Sequence, residues 1–203
     1  AAWSPDNSKI AYISNKKTVL GSFNQISVMD SNGANEMKIA EATKLRENIN
    51  YKDNFWWSPD GKMFAFTKVA DVEGKVSENG SVTFTYFYGA YIVAADGNDY
   101  ERLLAKTGME PMLPGWSSDS SKVALVSNSK VTIYNLKSRI ESEIPVKVSI
   151  PLSPVRWSPD GTKLIFAGKN SSFQKSALFL VTLDGKVTKL SETNDYDPVW
   201  APK

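Results

Sequence analysis

Four aspartates recur in the same short phrase of this chain, and carboxylates in pairs are groups that can perform acid–base chemistry. They are Asp6, Asp60, Asp119 and Asp160, each three residues after the Trp of a Trp-Ser-x-Asp phrase. Glycoside hydrolysis needs only two such carboxyl groups. Each aspartate, however, belongs to a pattern typical of a hairpin turn, in which an aspartate accepts hydrogen bonds from the turn itself. We therefore expect these carboxylates to be structural.

The residue types that serve most nucleophilic and metal chemistry are missing, because the 203 residues include no His and no Cys. This excludes thiolate and imidazole metal ligands and any catalytic set built on a Ser-His or Cys-His pair. The segment Asn194–Asp197 offers oxygen ligands but lacks the spacing of a dedicated calcium loop, and no Gly-rich phosphate-binding loop is present. We expect no enzymatic activity from this chain, no cofactor and no metal ion.

The overall composition limits the kinds of partner that this chain is expected to bind. The formal net charge is +2, with both signs spread along the chain, and this argues against nucleic-acid binding. No apolar stretch approaches the roughly 18 residues that a membrane-spanning helix needs, so we expect no membrane insertion. With 41% apolar residues the chain can bury a core, which argues against disorder. These limits remove nucleic acid and membrane insertion from the expected functions.

The tryptophans of the aspartate phrases reveal an internal repeat. They are Trp3, Trp57, Trp116 and Trp157, and Trp200 adds the beginning of a fifth copy. The steps between them are 54, 59, 41 and 43 residues. A repeat of this length indicates that one supersecondary unit is stacked several times.

The second copy shows how one unit is expected to fold. Asn54–Trp57 is an aromatic run that suits a buried strand, and the Pro and Gly of Ser58–Gly61 suit a tight hairpin turn. Lys62–Thr67 is then the second strand, Tyr91–Ala95 the third and Tyr100–Leu104 the fourth. Four antiparallel strands per unit, repeated radially, form a β-propeller blade. We therefore predict an all-β protein with the β-propeller fold.

The predicted domain is one β-propeller of four-stranded antiparallel blades, with each repeated Trp on or next to an innermost strand. The blades are predicted at residues 1–45, 52–106, 112–147 and 153–192, and an extra innermost strand, of the type that closes a ring, at residues 195–203. We expect Gly61 and Gly161 in the left-handed position of their turns. Asn7 stands at this position in the first copy, because Asn tolerates the left-handed conformation.

The phrase Trp-Ser-Pro-Asp-Gly, followed by Lys-x-apolar-Ala-Phe and later by apolar-Val-x-x-Asp-Gly, resembles the TolB-type propeller repeat. Phe55–Thr67 and Val155–Ala167 match this repeat best, and the match extends over essentially the whole chain. The resemblance implies a non-catalytic protein-binding scaffold in the periplasm, in the cell envelope or at the cell surface. Propellers of this family usually have about six or more blades, so we expect one or two blades before Ala1.

Two other functions remain open at this stage. The repeat is also similar to the gating propellers of prolyl-oligopeptidase-like serine peptidases, which would place a catalytic domain outside this sequence. An α/β-hydrolase segment encoded beside the chain would favour that alternative. A lectin-like, carbohydrate-binding propeller is the other, but the predicted innermost strands do not start with an acidic ring. They start with Asn54, Gly115, Arg156 and Pro198.

Long loops carried by a rigid scaffold are where binding is expected, and in a propeller they gather on the face opposite the short hairpin turns. The longest predicted loop is Lys68–Ala90, and Asn15–Asn24 is another. Two alternatives are that the aromatic residues of the longest loop extend the third strand and pack internally, and that Val72–Ser81 is disordered. The predicted partner-binding residues are Phe84, Tyr86, Phe87, Tyr88, Lys44, Arg46, Tyr51, Met109, Phe173 and Tyr196.

Overall fold

The computed structural model describes residues 1–18, 21–42, 55–98, 100–102, 114–127, 129–146, 150–169, 176–191 and 198–201. In these ranges the regular structure is β-strand without any helix, arranged in four antiparallel sheets. Within the same ranges, accordingly, there is no helix of the length and hydropathy that crossing a membrane requires. The all-β prediction is confirmed. The chain divides into two compact units, unit 1 (Ala1–Trp57 and Gly61–Pro111) and unit 2 (Ser58–Asp60 and Met112–Lys203).

Unit 1 contains two sheets in which the strands follow one another in chain order. The first sheet consists of β1 (Ala2–Trp3), β2 (Lys9–Thr18), β3 (Gly21–Asp30) and β4 (Met37–Ala42). The second consists of β5 (Phe55–Trp57), β6 (Met63–Val76), β7 (Val82–Ala94) and β8 (Tyr100–Arg102). Neighbouring strands are antiparallel throughout, as expected for strands joined by hairpins.

The core of unit 1 is an apolar cluster that draws on both sheets. Ile26 and Val28 of β3 contribute from the first sheet, and Phe64 and Phe66 of β6 from the second. Both phenylalanines are completely buried, and the Trp57 ring lies 4.0 Å from that of Phe64 between centroids. The repeated Trp57 and the strand β6 that follows it thus bury aromatic side chains in the same core. Aromatic side chains bury large areas and dominate the energetics of such cores.

Unit 2 repeats the plan with one irregularity. The third sheet consists of β9 (Gly115–Trp116), β10 (Lys122–Ser127), β11 (Lys130–Asn135) and β12 (Glu141–Pro145). The fourth consists of β13 (Ile150–Pro151), β14 (Arg156–Trp157), β15 (Lys163–Lys169), β16 (Ala177–Thr182) and β17 (Val187–Lys189). Because β13 and β14 both pair with β15, the innermost position of the fourth sheet is split into two short strands.

The core of unit 2 includes a backbone approach that leaves no room for a side chain. Trp157 and Phe166 pack in one apolar cluster with residues of the third sheet. At the edge of this cluster Gly115 faces the backbone of Val155, and a Cβ at Gly115 would lie 1.6 Å from the Val155 carbonyl oxygen. Position 115 therefore requires glycine for steric reasons, whatever its φ angle.

Two predicted loops turn out to be strand extensions. Of Asn15–Asn24, the residues up to Thr18 belong to β2 and those from Gly21 belong to β3, with register continuing from Lys9↔Asp30 to Thr18↔Gly21. Lys68–Ala90 likewise forms the outer parts of β6 and β7. For Asn15–Asn24 the loop prediction was wrong because its mostly polar residues lack the alternation that marks a half-buried strand. In Lys68–Ala90 the alternation of Val82, Phe84 and Tyr86 with threonine was a signal for the hairpin.

Candidate functional site

The repeated aspartates lie in hairpin turns and accept hydrogen bonds from those turns. In the first copy, the Ser4 hydroxyl donates to Asp6 Oδ1 at 2.6 Å, and the Ser8 N–H and hydroxyl donate to the same oxygen at 3.1 and 2.9 Å. The serine-to-aspartate bond recurs, also at 2.6 Å, in Ser58–Asp60, Ser117–Asp119 and Ser158–Asp160. This confirms the predicted structural use of the four carboxylates in their turns.

These hydrogen bonds stabilise the ionised carboxylates. The pKa of Asp6, Asp119 and Asp160 is lowered from 3.8 to about 2. In each case the serine hydroxyl two residues earlier is the largest cause, followed by the backbone N–H two residues later. A general acid at neutral pH needs a raised pKa instead, so these carboxylates are unsuited to donating a proton to a substrate.

The turn backbone also follows the prediction. Gly61 and Gly161 both have φ of 69°, and Asn7 has φ of 59°. Ser120 takes the same position in the third copy with φ of 59°, so this turn keeps its geometry although it has neither the Pro nor the Gly of the others. The left-handed conformation is therefore a property of the repeat and not only of its glycines.

The indole groups of three repeated tryptophans make one common contact. Trp57 Nε1 donates to the carbonyl oxygen of Ala2 at 3.3 Å, and Trp157 Nε1 donates to that of Gly115 at 3.0 Å. Trp200 Nε1 donates to that of Arg156 at 3.2 Å. Each acceptor directly precedes the Trp of the preceding copy. Trp200 makes this contact although Pro198–Ala201, the described part of the predicted closing strand, is not in a strand.

The longest hairpin in the described part of the chain is formed by β6 and β7. Their pairing continues from Met63↔Ala94 to Val76↔Val82, interrupted by a register shift between Val69 and Asp71. The turn closes through the Gly80 N–H, which donates to the Ser77 carbonyl at 2.9 Å. Residues 82–94, predicted in part as a loop, are therefore one continuous strand.

The base of this hairpin is anchored in the second sheet. The Phe66 and Tyr91 rings stack with centroids 5.7 Å apart, and Lys68 Nζ lies 4.7 Å from the centroid of the Tyr91 ring. Gly89 allows the Tyr91 ring to approach, since a Cβ there would lie 2.9 Å from it. The outer half of the hairpin thus extends from a packed base.

The outer half of the hairpin has one apolar and one polar face. Directly paired residues of antiparallel strands share a face, so Val76 with Val82, and Gly74 with Phe84, lie together. The opposite face carries the pairs Glu73–Thr85 and Lys75–Thr83. We call the first surface the hairpin's apolar face, and its exposed members are Val72 (44% exposed), Val76 (68%), Val82 (54%) and Phe84 (52%).

The predicted partner-binding residues on this hairpin have different environments. Phe84 is exposed on the apolar face, and its ring lies against Gly74, whose Cβ would be 3.4 Å from it. Tyr86 and Phe87 are half-buried, and Tyr88 is only 2% exposed. The aromatic residues therefore extend the third strand, and of the four only Phe84, the outermost, is exposed. The remaining predicted residues lie outside the described ranges, namely Lys44, Arg46, Tyr51, Met109, Phe173 and Tyr196.

Sequence reasoning missed Val72, Val76 and Val82 as members of this face. The available signal was the alternation of Val72, Gly74 and Val76 with charged residues, opposite Val82 and Phe84 on the returning strand. Alternation of this kind is typical of a two-faced strand. Within the described ranges, no group of three or more carboxylates is placed to hold a metal ion.

Solved structures similar to this chain are β-propellers. TolB from Acinetobacter baumannii has 20% sequence identity and a TM-score of 0.62, over 94% of this chain and 42% of that one. The β-propeller domain of the Trilobed protease from Pyrococcus furiosus has 19% identity and a TM-score of 0.56, over 92% of this chain and 54% of that one. A chain of a nidogen/laminin complex has 12% identity and a TM-score of 0.54, over 86% and 59%.

These similarities show the fold. The chain is built as a β-propeller of four-stranded antiparallel blades, and it is similar in structure to TolB and to the propeller domains of peptidases. It spans between about two fifths and three fifths of the lengths of the structures named above. No family model matches the sequence, and no curated protein does.

Proposed function

We propose that this chain is a non-catalytic protein-binding scaffold of the TolB-like type, and that the hairpin's apolar face is its docking surface. The observation that carries the proposal is the exposure of Val72, Val76, Val82 and Phe84 side by side on a projecting hairpin. A contiguous exposed apolar patch is typical of an interaction site. Valine and phenylalanine side chains favour association with another protein because their apolar surface is then removed from water.

Two structural similarities support a binding role. TolB is the bacterial protein that the repeat resembles, and the resemblance implies a periplasmic, cell-envelope or cell-surface location and a protein partner. One similar propeller was solved in a nidogen/laminin complex. The composition supports a non-catalytic role, since the sequence lacks His and Cys, and the lowered pKa of Asp6, Asp119 and Asp160 keeps these carboxylates ionised in their turns.

The shape of the hairpin favours docking along its flank rather than insertion of its tip. The tip is the polar turn Ser77–Ser81, which contains Glu78 and Asn79. From Val72 to Val76 the apolar face extends over roughly 13 Å of strand. A patch of this size suits a small, reversible interface in which one aromatic residue contributes most of the affinity.

The test is quantitative binding with two matched hairpin variants. Proteins captured by the chain from a cell-envelope extract are purified, and their affinity is measured by calorimetry. Val76→Ser with Phe84→Ser removes apolar area, and we expect binding to weaken at least tenfold, about 1.4 kcal/mol. Lys75→Gln with Thr83→Ser changes the opposite face of the same hairpin, and we expect an affinity within twofold. Equal affinities of the two variants for every captured protein would refute the docking surface.

A second candidate function is the propeller of a serine peptidase that has its catalytic domain elsewhere. The similarity to the Trilobed protease propeller favours it. In that case the chain itself would still be non-catalytic. An α/β-hydrolase domain in the same gene product, together with loss of its substrate selectivity on replacing the hairpin, would establish this function over the scaffold.

A further inference from the structure

The outer half of β7 is a strand edge within the described part of the chain. On one side β7 pairs with β6 as far as Val76↔Val82. On its other side β8 pairs with it at Tyr91–Val93, so among the described residues no strand is paired with that side of residues 82–85. A strand edge presents a row of backbone N–H and C=O groups with which another strand can pair.

The turn of the hairpin determines which backbone groups point to this edge. The Ser77 N–H donates to the Ser81 carbonyl at 2.9 Å, so Ser77 and Ser81 form a hydrogen-bonded pair. Directly opposite pairs of antiparallel strands alternate between hydrogen-bonded and non-hydrogen-bonded pairs. Val82 and Phe84 consequently belong to non-hydrogen-bonded pairs with β6. Their N–H and C=O groups point away from β6, towards the edge, whereas those of Thr83 between them point to β6.

The opposite edge of the hairpin, along β6, carries features that hinder the addition of a strand. Its outer part contains a β-bulge and three charged residues, Asp71, Glu73 and Lys75. The N–H of Val72 donates to Asp71 Oδ1 at 2.8 Å. Bulges and charged side chains are devices by which proteins protect sheet edges. Residues 82–88 of β7 include no charged residue and no proline, so of the two edges β7 is the one suited to pairing with another strand.

We propose that the partner of this hairpin binds as an extended strand, antiparallel to β7, through the backbone groups of Val82 and Phe84. The proposal rests on the function proposed above and specifies the partner of the same surface. Antiparallel addition is favoured because parallel pairing is slightly less stable per residue. The partner residues opposite Val82 and Phe84 would each exchange two hydrogen bonds with the residue that they face.

The side-chain pattern of the partner follows from the same register. Directly paired residues share a face, so the partner residues opposite Val82 and Phe84 extend the hairpin's apolar face. They should be apolar, because the two side chains beside them are exposed. The residues between them lie on the face of Thr83 and should be polar. The partner is therefore a segment of alternating apolar and polar residues, in which the backbone supplies affinity and the alternate side chains supply specificity.

The first measurement is the protection of individual backbone amides from hydrogen exchange. The probe is a synthetic peptide in which valine alternates with threonine between terminal lysines, added at millimolar concentration to the isotope-labelled chain. We expect the amide protons of Val82 and Phe84 to exchange at least tenfold more slowly in the presence of the peptide. The amide of Thr83 should change less than twofold, because it points to β6 in both states. Contact through side chains alone would not produce this alternation.

N-methylated peptides test the register and the direction of the added strand. Methylation of the valine nitrogens removes the N–H groups that would point to β7, and we expect the affinity to fall at least tenfold. Methylation of as many threonine nitrogens leaves those groups intact and should change the affinity less than threefold. The reverse order would indicate parallel addition, and equal effects would indicate binding without backbone pairing. Either result would overturn the proposal.

Two matched substitutions test the edge in the chain itself. Val82→Pro removes an N–H that points to the added strand and not to β6, and proline is accepted at such positions of edge strands. Val76→Pro makes the same change on the β6 edge, and each variant loses one exposed valine. We expect V82P to weaken peptide binding at least tenfold more than V76P does. The methylated peptides, measured on the unaltered chain, decide the question if either variant unfolds.

The outcomes separate this proposal from the function on which it rests. Proteins captured from the cell-envelope extract could bind through Val76 and Phe84 and still leave the amides of Val82 and Phe84 unprotected. That result would overturn strand addition and leave the docking surface in place. Equal binding of the captured proteins to the two hairpin variants of the preceding test would refute the docking surface and, with it, this partner.

Discussion

The Trp-Ser-x-Asp turns and the β6–β7 hairpin both join antiparallel strands, but their side chains make different kinds of contact. In the turns, polar groups satisfy one another, as in Asp6 with Ser4 and Ser8, and the pattern recurs in every copy. The outer hairpin is the longest strand extension among the described residues, and it exposes Val76 and Phe84. Repeated turns whose polar groups hydrogen-bond to one another are typical of a structural framework. An exposed apolar extension is typical of a surface that binds a partner.

The largest loss of stability is expected where the repeated sheets leave no room for an additional side-chain atom. Gly115→Ala would place a Cβ 1.6 Å from the Val155 carbonyl oxygen, so one backbone must shift. We expect a loss of roughly 3 kcal/mol in the free energy of unfolding, measured by urea denaturation. Gly74→Ala on the hairpin is the control, because its Cβ would meet only the Phe84 ring, at 3.4 Å. Equal effects at the two glycines would contradict the contrast between scaffold and hairpin.

A smaller effect is expected in a repeated turn. Gly161 has φ of 69° and nothing within 4 Å of a Cβ, so Gly161→Val would be opposed by backbone strain and not by a steric clash. We expect destabilisation of about 1–3 kcal/mol. Gly161→Asn should recover most of this loss, since Asn7 already occupies the equivalent position. If Val and Asn were equally tolerated, the left-handed turn would not matter to stability.

Acid should weaken the Trp-Ser-x-Asp turns. The folded-state pKa of Asp6, Asp119 and Asp160 is about 2 instead of 3.8. Their contribution is therefore fully present above pH 4 and is lost as the pH falls from about 4 towards 2. We expect the melting temperature to fall across this window, and to fall less in the triple variant Asp6→Asn, Asp119→Asn, Asp160→Asn. A pH profile identical in both proteins would show that these carboxylates do not contribute.

The smallest effect on stability is expected from shortening the hairpin. Removing Val72–Ser81 deletes exposed residues beyond the buried base formed by Phe66, Tyr88 and Tyr91. We expect the free energy of unfolding to change by no more than about 0.5 kcal/mol, while binding at the apolar face is lost. A cooperative loss of the second sheet on deletion, detected by hydrogen exchange, would instead make the outer hairpin part of the scaffold.

The sequence was sufficient to predict the strands and turns of the repeat, but it was insufficient to predict the outer strand extensions. Trp57 and Gly61 could be placed because local turn chemistry and a recurring phrase both specify their positions. The extension of β2 to Thr18 and the pairing of Gly74 with Phe84 could not, because they depend on strand register, which in a hairpin is set by turn geometry and by bulges. The need for glycine at position 115 likewise arises only when Val155 is brought beside it.

The register shift in β6 is a single-residue bulge between two regular parts of the long hairpin. Ala70 is the extra residue between Val69↔Tyr88 and Asp71↔Phe87, and a bulge of this kind bends the strand that carries it. Loss of the single codon for Ala70 would join these two pairs directly and leave Gly74 paired with Phe84. An in-frame deletion of three nucleotides would thereby straighten the hairpin while keeping the members of its apolar face together.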